Sequence, residues 1–272
     1  VPIVLLAANQ SNMYYRGDMN GFGTTSLSFR DLGTDSWMVT ILSDGDDNPS
    51  DFKIDNETDW AGSDWSVGGS ISFGSYLTWY NPNGGNGYIN ETNGKYYSIT
   101  ISDVVSGNAA GFVQETSGSP ITISSVSDNS GDGVPNTTIT VSIALSGSKS
   151  SEENIYVRYS TDSFSSDTWS LATGSGTSYS ATLTTSGSGT VVYYVMTTTL
   201  TSSGSGDLDN YPDLATLYFD NNSGSNYTYA YDQSLPVELS AFSAYSSSKG
   251  VKLVWTTDSE IENQGFSILR KS

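Results

Sequence analysis

Oxygen-bearing side chains are the ones that could do chemistry in this chain, because its 272 residues include no histidine and no cysteine. One loop concentrates carboxylates and amides: Asp44, Asp46, Asp47 and Asn48 lie close together between positions 43 and 51. Calcium takes about six to eight oxygen ligands from a flexible loop, so this spacing predicts a calcium site. The loop lacks the turn glycine and distal glutamate of an EF-hand, and the alternative is a set of solvated turn residues.

The missing histidine and cysteine exclude most catalytic machinery. There is no Ser-His-Asp triad, no imidazole ligand for zinc, no thiol nucleophile and no disulfide framework. A pair of carboxylates, as in glycosidases, is the remaining catalytic alternative, and no acidic pair stands out among the loop aspartates. We therefore predict a protein that is not an enzyme and has no cofactor, with calcium as the one open alternative.

Four aromatic residues lie in polar, loop-like stretches where flat rings could stack on sugars: Trp60, Trp65, Trp79 and Tyr80. A sugar site needs such ring faces beside hydrogen-bonding groups, so these residues form a candidate glycan platform. The alternative is that the same rings pack in a β-sandwich core, where large aromatic side chains dominate.

The elements that must position these residues are β-strands. Gly, Ser, Thr, Asn and Asp dominate the composition, and 18 Tyr, 9 Phe and 6 Trp supply most of the apolar bulk. Short alternating segments separated by turn clusters predict an all-β fold of tandem immunoglobulin-like β-sandwiches with a partial C-terminal sandwich. The alternating sets include Trp37/Val39/Ile41, Phe52/Ile54, Ile71/Phe73, Tyr97/Ile99/Ile101, Ile139/Val141/Ile143/Leu145, Ile155/Val157/Tyr159, Tyr179/Ala181/Leu183 and Tyr227/Tyr229/Tyr231.

Four segments are predicted along the chain. An apolar strand occupies 1–8, a first sandwich 9–117, an immunoglobulin-like sandwich 118–233 and a partial sandwich 234–272. The run Val191–Leu200 is apolar on both faces, which predicts a central strand covered on both sides.

The two ends of the chain are the predicted assembly elements. Val1–Ala8 is an apolar run that is typical of either a signal-peptide core or a strand that pairs elsewhere. The C-terminal strands have a strongly apolar face, and a partial sandwich needs cover for such a face. The assembly residues are therefore Val1, Ile3, Val4, Leu5, Leu6, Val237, Leu239, Phe242, Val251, Leu253, Trp255, Phe266 and Ile268.

The net charge of −19 comes from 29 acidic and 10 basic residues. Such a surface repels phosphate backbones and anionic lipid, so we predict no nucleic-acid partner. The eight-residue apolar run is too short to span a bilayer, which needs about 20 residues, so no membrane span is predicted.

The C-terminal stretch resembles the fibronectin type III-like module that precedes the sorting domain of type IX secretion in secreted Bacteroidota proteins. The resemblance is carried by Leu235–Phe242, Val251–Thr257 and Glu260–Phe266, and the later strands of that module are absent from this sequence. It implies an extracellular or cell-surface location.

The first predicted sandwich resembles starch-binding-like modules found beside amylases, through Tyr14–Gly23, Asp51–Ile54, Asp59–Trp60 and Asp64–Trp65. In those modules the Trp60 and Trp65 positions are part of the fold's own motif. Related modules bind starch-like glucans, which implies a polysaccharide partner.

The second predicted sandwich is similar to a companion module of the same secreted proteins, through Glu153–Asp162 and Asn222–Thr228. No activity is attached to that companion, so this resemblance bears on architecture alone.

Two functions follow as expectations. The first is a non-catalytic extracellular structural protein, a self-assembling filament or surface-layer subunit whose copies join by β-strand exchange. The alternative is a glycan-binding accessory region of a secreted polysaccharide-degrading protein. Copies of the chain itself are thus the first predicted partner, and a polysaccharide is the second.

Overall fold

The computed structural model describes residues 10–23, 30–33, 36–58, 62–81, 85–102, 107–131, 136–200, 212, 214–232, 239–248 and 250–257. Within these ranges the chain forms β-strands and one short 3₁₀ helix, Asp18–Asn20, which confirms the predicted all-β class. No helix in the described part of the chain has the length and apolar character needed to cross a bilayer.

The first sandwich, residues 14–116, contains two antiparallel sheets. Its strands are β1 (Tyr14–Gly17), β2 (Arg30–Gly33), β3 (Ser36–Leu42), β4 (Ser50–Asp55), β5 (Asp64–Trp65), β6 (Leu77–Trp79), β7 (Gly87–Ile89), β8 (Tyr96–Ser102) and β9 (Ala109–Thr116). One sheet has the order β1-β4-β5, with β7 also paired to β4, and the other has the order β2-β3-β8-β9-β6.

Alternation along the strands builds the core of the first sandwich. Phe52 and Ile54 of one sheet and Ile99 and Ile101 of the other belong to a single hydrophobic cluster, and all four side chains are buried.

The prediction of a strand at Ile71 and Phe73 is wrong. Both residues lie in the loop between β5 and β6, where the described residues form isolated bridges from Ser66 to Tyr80 and from Ser70 to Tyr88 but no strand. The flanking Gly68 and Gly74 have positive φ angles, which turn the backbone where a strand would need it extended.

The second sandwich, residues 123–232, also contains two antiparallel sheets. Its strands are β10 (Ile123–Asp128), β11 (Thr138–Leu145), β12 (Asn154–Ser160), β13 (Thr168–Leu171), β14 (Thr173–Ser175), β15 (Ser178–Thr184), β16 (Ser188–Thr198), β17 (Tyr218–Asp220) and β18 (Tyr227–Asp232). One sheet has the order β10-β11-β15-β14, and the other has the order β13-β12-β16-β17, with β18 also paired to β16.

Strand β16 is buried on both sides, as its sequence predicts. Val191, Tyr193 and Val195 face the core between the two sheets. On the opposite side, Met196 is buried in a separate cluster and Tyr194 packs against it. This double cover explains why polar residues do not alternate in this strand.

The third unit is a hairpin of β19 (Leu239–Ser247) and β20 (Gly250–Thr257). The two strands pair only with each other among the described residues, so they form a separate two-stranded sheet. The predicted assembly residues Val1, Ile3, Val4, Leu5, Leu6, Val237, Phe266 and Ile268 lie outside the described residues.

Candidate functional site

The acidic loop folds into turns rather than into a metal cage. The backbone N–H of Asp46 donates to Asp44 Oδ1 over 3.1 Å, and that of Asp47 donates to Glu91 Oε1 over 3.1 Å. The side chain of Asn48 donates to the carbonyl oxygen of Glu91 over 3.4 Å.

These contacts use the loop's polar groups to close the turn. Across the described ranges, no group of three or more acidic side chains could hold a metal ion. The structure therefore does not bring the carboxylates of Asp44, Asp46 and Asp47 together as calcium ligands, and these residues and Asn48 are exposed in the turn.

Two of the predicted sugar-binding rings are core residues. Trp65 and Trp79 are fully buried, and their indole N–H groups donate to the carbonyl oxygens of Gly107 over 2.8 Å and Thr100 over 3.3 Å. Gly111 on β9 makes room for the Trp79 ring, which a Cβ at that position would strike.

A ring with no exposed face cannot stack on a sugar, so the platform prediction is wrong for Trp65 and Trp79. Tyr80 is exposed, and Trp60 lies outside the described residues.

One face of the β19–β20 hairpin is strongly apolar, whereas the other carries Tyr245 and Val254 among polar residues. Its register places Phe242 opposite Trp255, Ala244 opposite Leu253 and Ser246 opposite Val251, and directly opposed residues share a face. A register shift between Leu239 and Ala241 marks a bulge. The extra residue moves Leu239 to the side that carries Phe242.

This apolar face is exposed. The side chains of Phe242 and Val251 are 62% and 70% exposed, and Leu239 is also open to solvent. Five predicted assembly residues that the structure describes thus lie on one surface, which we call the hairpin face: Leu239, Phe242, Val251, Leu253 and Trp255.

A second apolar surface joins the two sandwiches, and the sequence analysis missed it. Phe112 of β9 is fully buried in a cluster with Tyr156 of β12, Met196 of β16, Leu214 and Ala215. We call this set the junction cluster. In it, the outward-facing Phe112 of β9, with the partly buried Ala110 beside it, packs on the outer face of the second sandwich.

Gln114 sits beside the junction cluster and binds the second sandwich through both ends of its amide. Its Nε2 donates to the carbonyl oxygen of Ala215 over 3.0 Å. Its Oε1 accepts hydrogen bonds from the Thr198 hydroxyl at 3.2 Å, and from the backbone N–H and hydroxyl of Thr199 at 2.8 and 2.9 Å. A fully buried amide with this many partners fixes the relative position of the strands it joins.

Two adjacent carboxylates hold the connection between the sandwiches. Glu152 Oε2 accepts from the backbone N–H of Ser117 at 3.2 Å and from its hydroxyl at 2.7 Å. Glu153 Oε2 accepts from the backbone N–H of Ile121 at 3.1 Å. Lys95 of the first sandwich completes the contact with an ion pair to Glu152 at 3.3 Å.

The two carboxylates differ in their protonation behaviour because hydrogen bonds dominate at the half-buried Glu152 and burial dominates at Glu153. Hydrogen bonds from the side chain of Ser117 lower the pKa of Glu152 to about 2. Burial raises the pKa of Glu153 above its ordinary value, against the opposing hydrogen bonds from Ile121 and Ser150.

One signal could have revealed the junction. Phe112 and Gln114 alternate with inward-facing residues on β9, so a large apolar side chain on the outer face was visible in the sequence. The sequence also shows that β16 is apolar on both sides, which indicates an apolar outer face on the second sandwich. No local pattern, however, indicates that this face packs against the outer face of β9.

The comparisons with known proteins supply no relative. No family model matches the chain, and neither a curated protein nor a solved structure is significantly similar to it. The resemblances drawn from the sequence therefore stay predictions.

Proposed function

We propose that this chain is a non-catalytic, extracellular structural protein whose copies join through the β19–β20 hairpin by strand exchange, building a filament or surface layer. The observation that carries the proposal is the hairpin face, a continuous apolar surface on a sheet of two strands. A lone two-stranded hairpin is marginally stable in water, and additional strands stabilise it.

The energy available at this surface is large. Burying Leu239, Phe242 and Val251 would contribute roughly 1.5–3 kcal/mol for each side chain. An incoming strand would also bond the open edge of β19, which contains no charged residue or proline to oppose pairing.

Charge favours a second copy as the partner. The segment 239–257 contains Lys249 and Lys252 and no acidic residue, whereas the whole chain has a net charge of −19. A basic hairpin is attracted to the acidic body of another copy, and opposite potentials accelerate encounter between such surfaces.

The apolar, uncharged run Val1–Ala8 has the composition of a donor strand. A contact between the amino-terminal run of one copy and the hairpin of the next is heterologous. Such a contact propagates as a filament when its rotation does not close into a ring.

Light scattering coupled to size exclusion, followed by electron microscopy, tests this proposal on the full 272-residue chain. The mass is expected to rise with concentration and regular fibres to appear. The double variant Phe242→Ser, Val251→Ser should remain monomeric, because it removes two exposed apolar side chains without touching a buried one.

Tyr245→Ser is the matched control. Tyr245 is 57% exposed on the same hairpin but lies on the opposite face, across from Lys252. This variant should assemble as the parent does. A parent chain that stays monomeric at high concentration, or a control that loses assembly equally, would contradict the proposal.

A further inference from the structure

A polar cleft of about 190 Å³ opens at one end of the second sandwich. It lies where the end of β12, the start of β13, the β15–β16 connection and β18 come together. Seven of its ten lining residues are serine or threonine, two are tyrosine and one is Asp167. A cleft with this lining offers hydroxyl groups rather than apolar or charged ones.

The walls of the cleft are held in place by hydrogen bonds. The Tyr159 hydroxyl on β12 donates to the carbonyl oxygen of Thr184 on β15 over 3.2 Å, which ties the two sheets together. Asp162 accepts from the hydroxyls of Ser160 at 2.7 Å and Ser166 at 2.6 Å, and these bonds close the loop after β12. A site formed before its ligand arrives loses little free energy to ordering.

The backbone of the same loop adopts an uncommon conformation. Ser163 and Phe164 both have positive φ angles, 58° and 64°, which residues other than glycine rarely adopt. Such conformations persist where the surrounding structure enforces them, and they concentrate at functional sites.

The charges around the cleft are already neutralised. Asp167 forms an ion pair with Arg158, whose guanidinium lies 5.2 Å from the ring centres of both Phe164 and Trp169. With Asp162 occupied by serine hydroxyls, neither carboxylate is free to hold a cation. An anionic ligand is repelled by the net charge of −19. The chemistry that remains is that of a neutral, hydroxyl-rich ligand.

The groups that such a ligand would bond are open. The side-chain hydroxyls of Thr161, Thr168, Ser186 and Tyr231 make no hydrogen bond to any residue that the structure describes. The rings of Tyr159 and Tyr231 border the same space, but each belongs to the sandwich core and is only 8% exposed, so they add a small apolar area beside the hydroxyls. Many hydroxyl groups beside a small apolar area match the two kinds of surface that a sugar ring presents.

We propose that this cleft binds a neutral saccharide. Its volume is below the range of about 300–1,000 Å³ for sites that take drug-sized ligands, so it accommodates about one sugar ring, free or at a chain end. The site is independent of the hairpin face, and it lies in the other sandwich from the buried Trp65 and Trp79.

Amide chemical shifts of the ¹⁵N-labelled full chain, recorded at a concentration where the chain is monomeric, test the proposal directly. The chain is titrated separately with glucose, galactose, mannose and N-acetylglucosamine, and with calcium chloride and sodium phosphate as non-sugar probes. At least one sugar should shift amides in 159–168 and 184–186, with a dissociation constant on the order of 1 mM. The two salts should leave these amides unchanged.

A double variant identifies the hydroxyls as ligands. Thr161→Val, Thr168→Val keeps the side-chain shapes and removes two open hydroxyls, so the affinity should fall about tenfold. Thr173→Val on β14 is the control, because Thr173 is exposed and does not line the cleft. Its affinity should match that of the parent.

Three results would overturn the proposal. The first is the absence of cleft shifts with all four sugars at about 100 mM, a concentration far above the expected dissociation constant. The second is a response to calcium or phosphate alone. The third is an equal loss of affinity in the control variant. Each result is separable from the assembly measurement, because the cleft and the hairpin face have no residue in common.

Discussion

Phe112 and Phe242 are the same side chain in opposite surroundings. Phe112 is 0% exposed between the two sandwiches, and Phe242 is 62% exposed on the hairpin. Each side chain lies on an apolar sheet face that its own sandwich or hairpin does not cover. The difference teaches that an apolar outer face shows only that a partner is needed, whereas the tertiary structure shows whether the same chain supplies it.

The junction cluster has its partner, and polar contacts surround it. Gln114 bonds across it, and Glu152 and Glu153 hold the two ends of the connecting segment. At the hairpin, the Ser240 hydroxyl donates to the carbonyl oxygen of Thr256 and the Ser247 hydroxyl donates to that of Gly250, so both of these bonds run within the hairpin. This contrast separates a completed interface from one that we propose is completed by another copy.

The largest expected effect is the difference in unfolding free energy between two alanine variants, Phe112→Ala and Phe242→Ala. Phe112→Ala leaves a cavity in the junction cluster and should lower the free energy of unfolding by about 3–5 kcal/mol. Phe242→Ala removes an exposed ring and should change the free energy of unfolding by no more than about 0.5 kcal/mol. Urea denaturation of both variants measures the difference, at a concentration where the chain is monomeric.

Equal losses in the two phenylalanine variants would contradict the comparison. That result would mean that the hairpin face is already buried in the monomer.

A smaller effect is expected from the amide that bonds across the junction. Gln114→Leu keeps the side chain's approximate volume but leaves the Ala215 carbonyl and the Thr199 N–H without their partner. The unfolding free energy should fall by about 2 kcal/mol. Calorimetry checks whether the two sandwiches, which should unfold in one transition in the parent chain, separate into two transitions in this variant.

A double-mutant cycle provides the control for Gln114. Thr199→Val removes only the hydroxyl that donates to Gln114 Oε1. The two substitutions should be less than additive, because they remove one shared hydrogen bond. Full additivity would show that the bond contributes nothing.

The smallest effect is on the pH dependence of stability. The folded-state pKa of Glu152, about 2, lies below its ordinary value of 4.5, so its stabilising contribution is present above about pH 4.5 and is lost as the pH falls toward 2. The pKa of Glu153 is raised instead. Its contribution is therefore present below pH 4.5 and is lost as the pH rises through the folded-state value.

Melting temperatures of Glu152→Gln and Glu153→Gln between pH 2 and 7 test this opposition. The deficit of Glu152→Gln relative to the parent should grow from pH 2 to pH 5, by about 2 °C or less because the group is partly exposed. The melting temperature of Glu153→Gln should rise relative to that of the parent as the pH increases. Parallel curves for the two variants would contradict the assignment.

Most of the secondary structure was accessible from the sequence, for a local reason. Side chains alternate across a strand, so sets such as Val141, Ile143 and Leu145 reveal both the strand and its buried face. The hairpin face was predicted by the same reasoning. The failure at Ile71 and Phe73 came from two apolar residues that alternate by chance between glycines with positive φ.

The functional residues were harder to predict, because their role depends on what covers them. A tryptophan in a polar stretch has the same sequence signature whether it faces solvent or the core, and Trp65 and Trp79 face the core. The cleft of the second sandwich went unnoticed because serine and threonine are common throughout the chain. Only their meeting at one end of the two sheets distinguishes Thr161 and Thr168 from the rest.

By itself the sequence determined the all-β class, the absence of histidine and cysteine chemistry, and the apolar side of the hairpin. These follow from composition and from a period of two residues, both of which are local. The tertiary structure alone decided that Gln114 meets Ala215, 101 positions away, and that Phe112 is covered while Phe242 is not. Burial is a property of surfaces that come together in space, and no local pattern encodes which surface meets which.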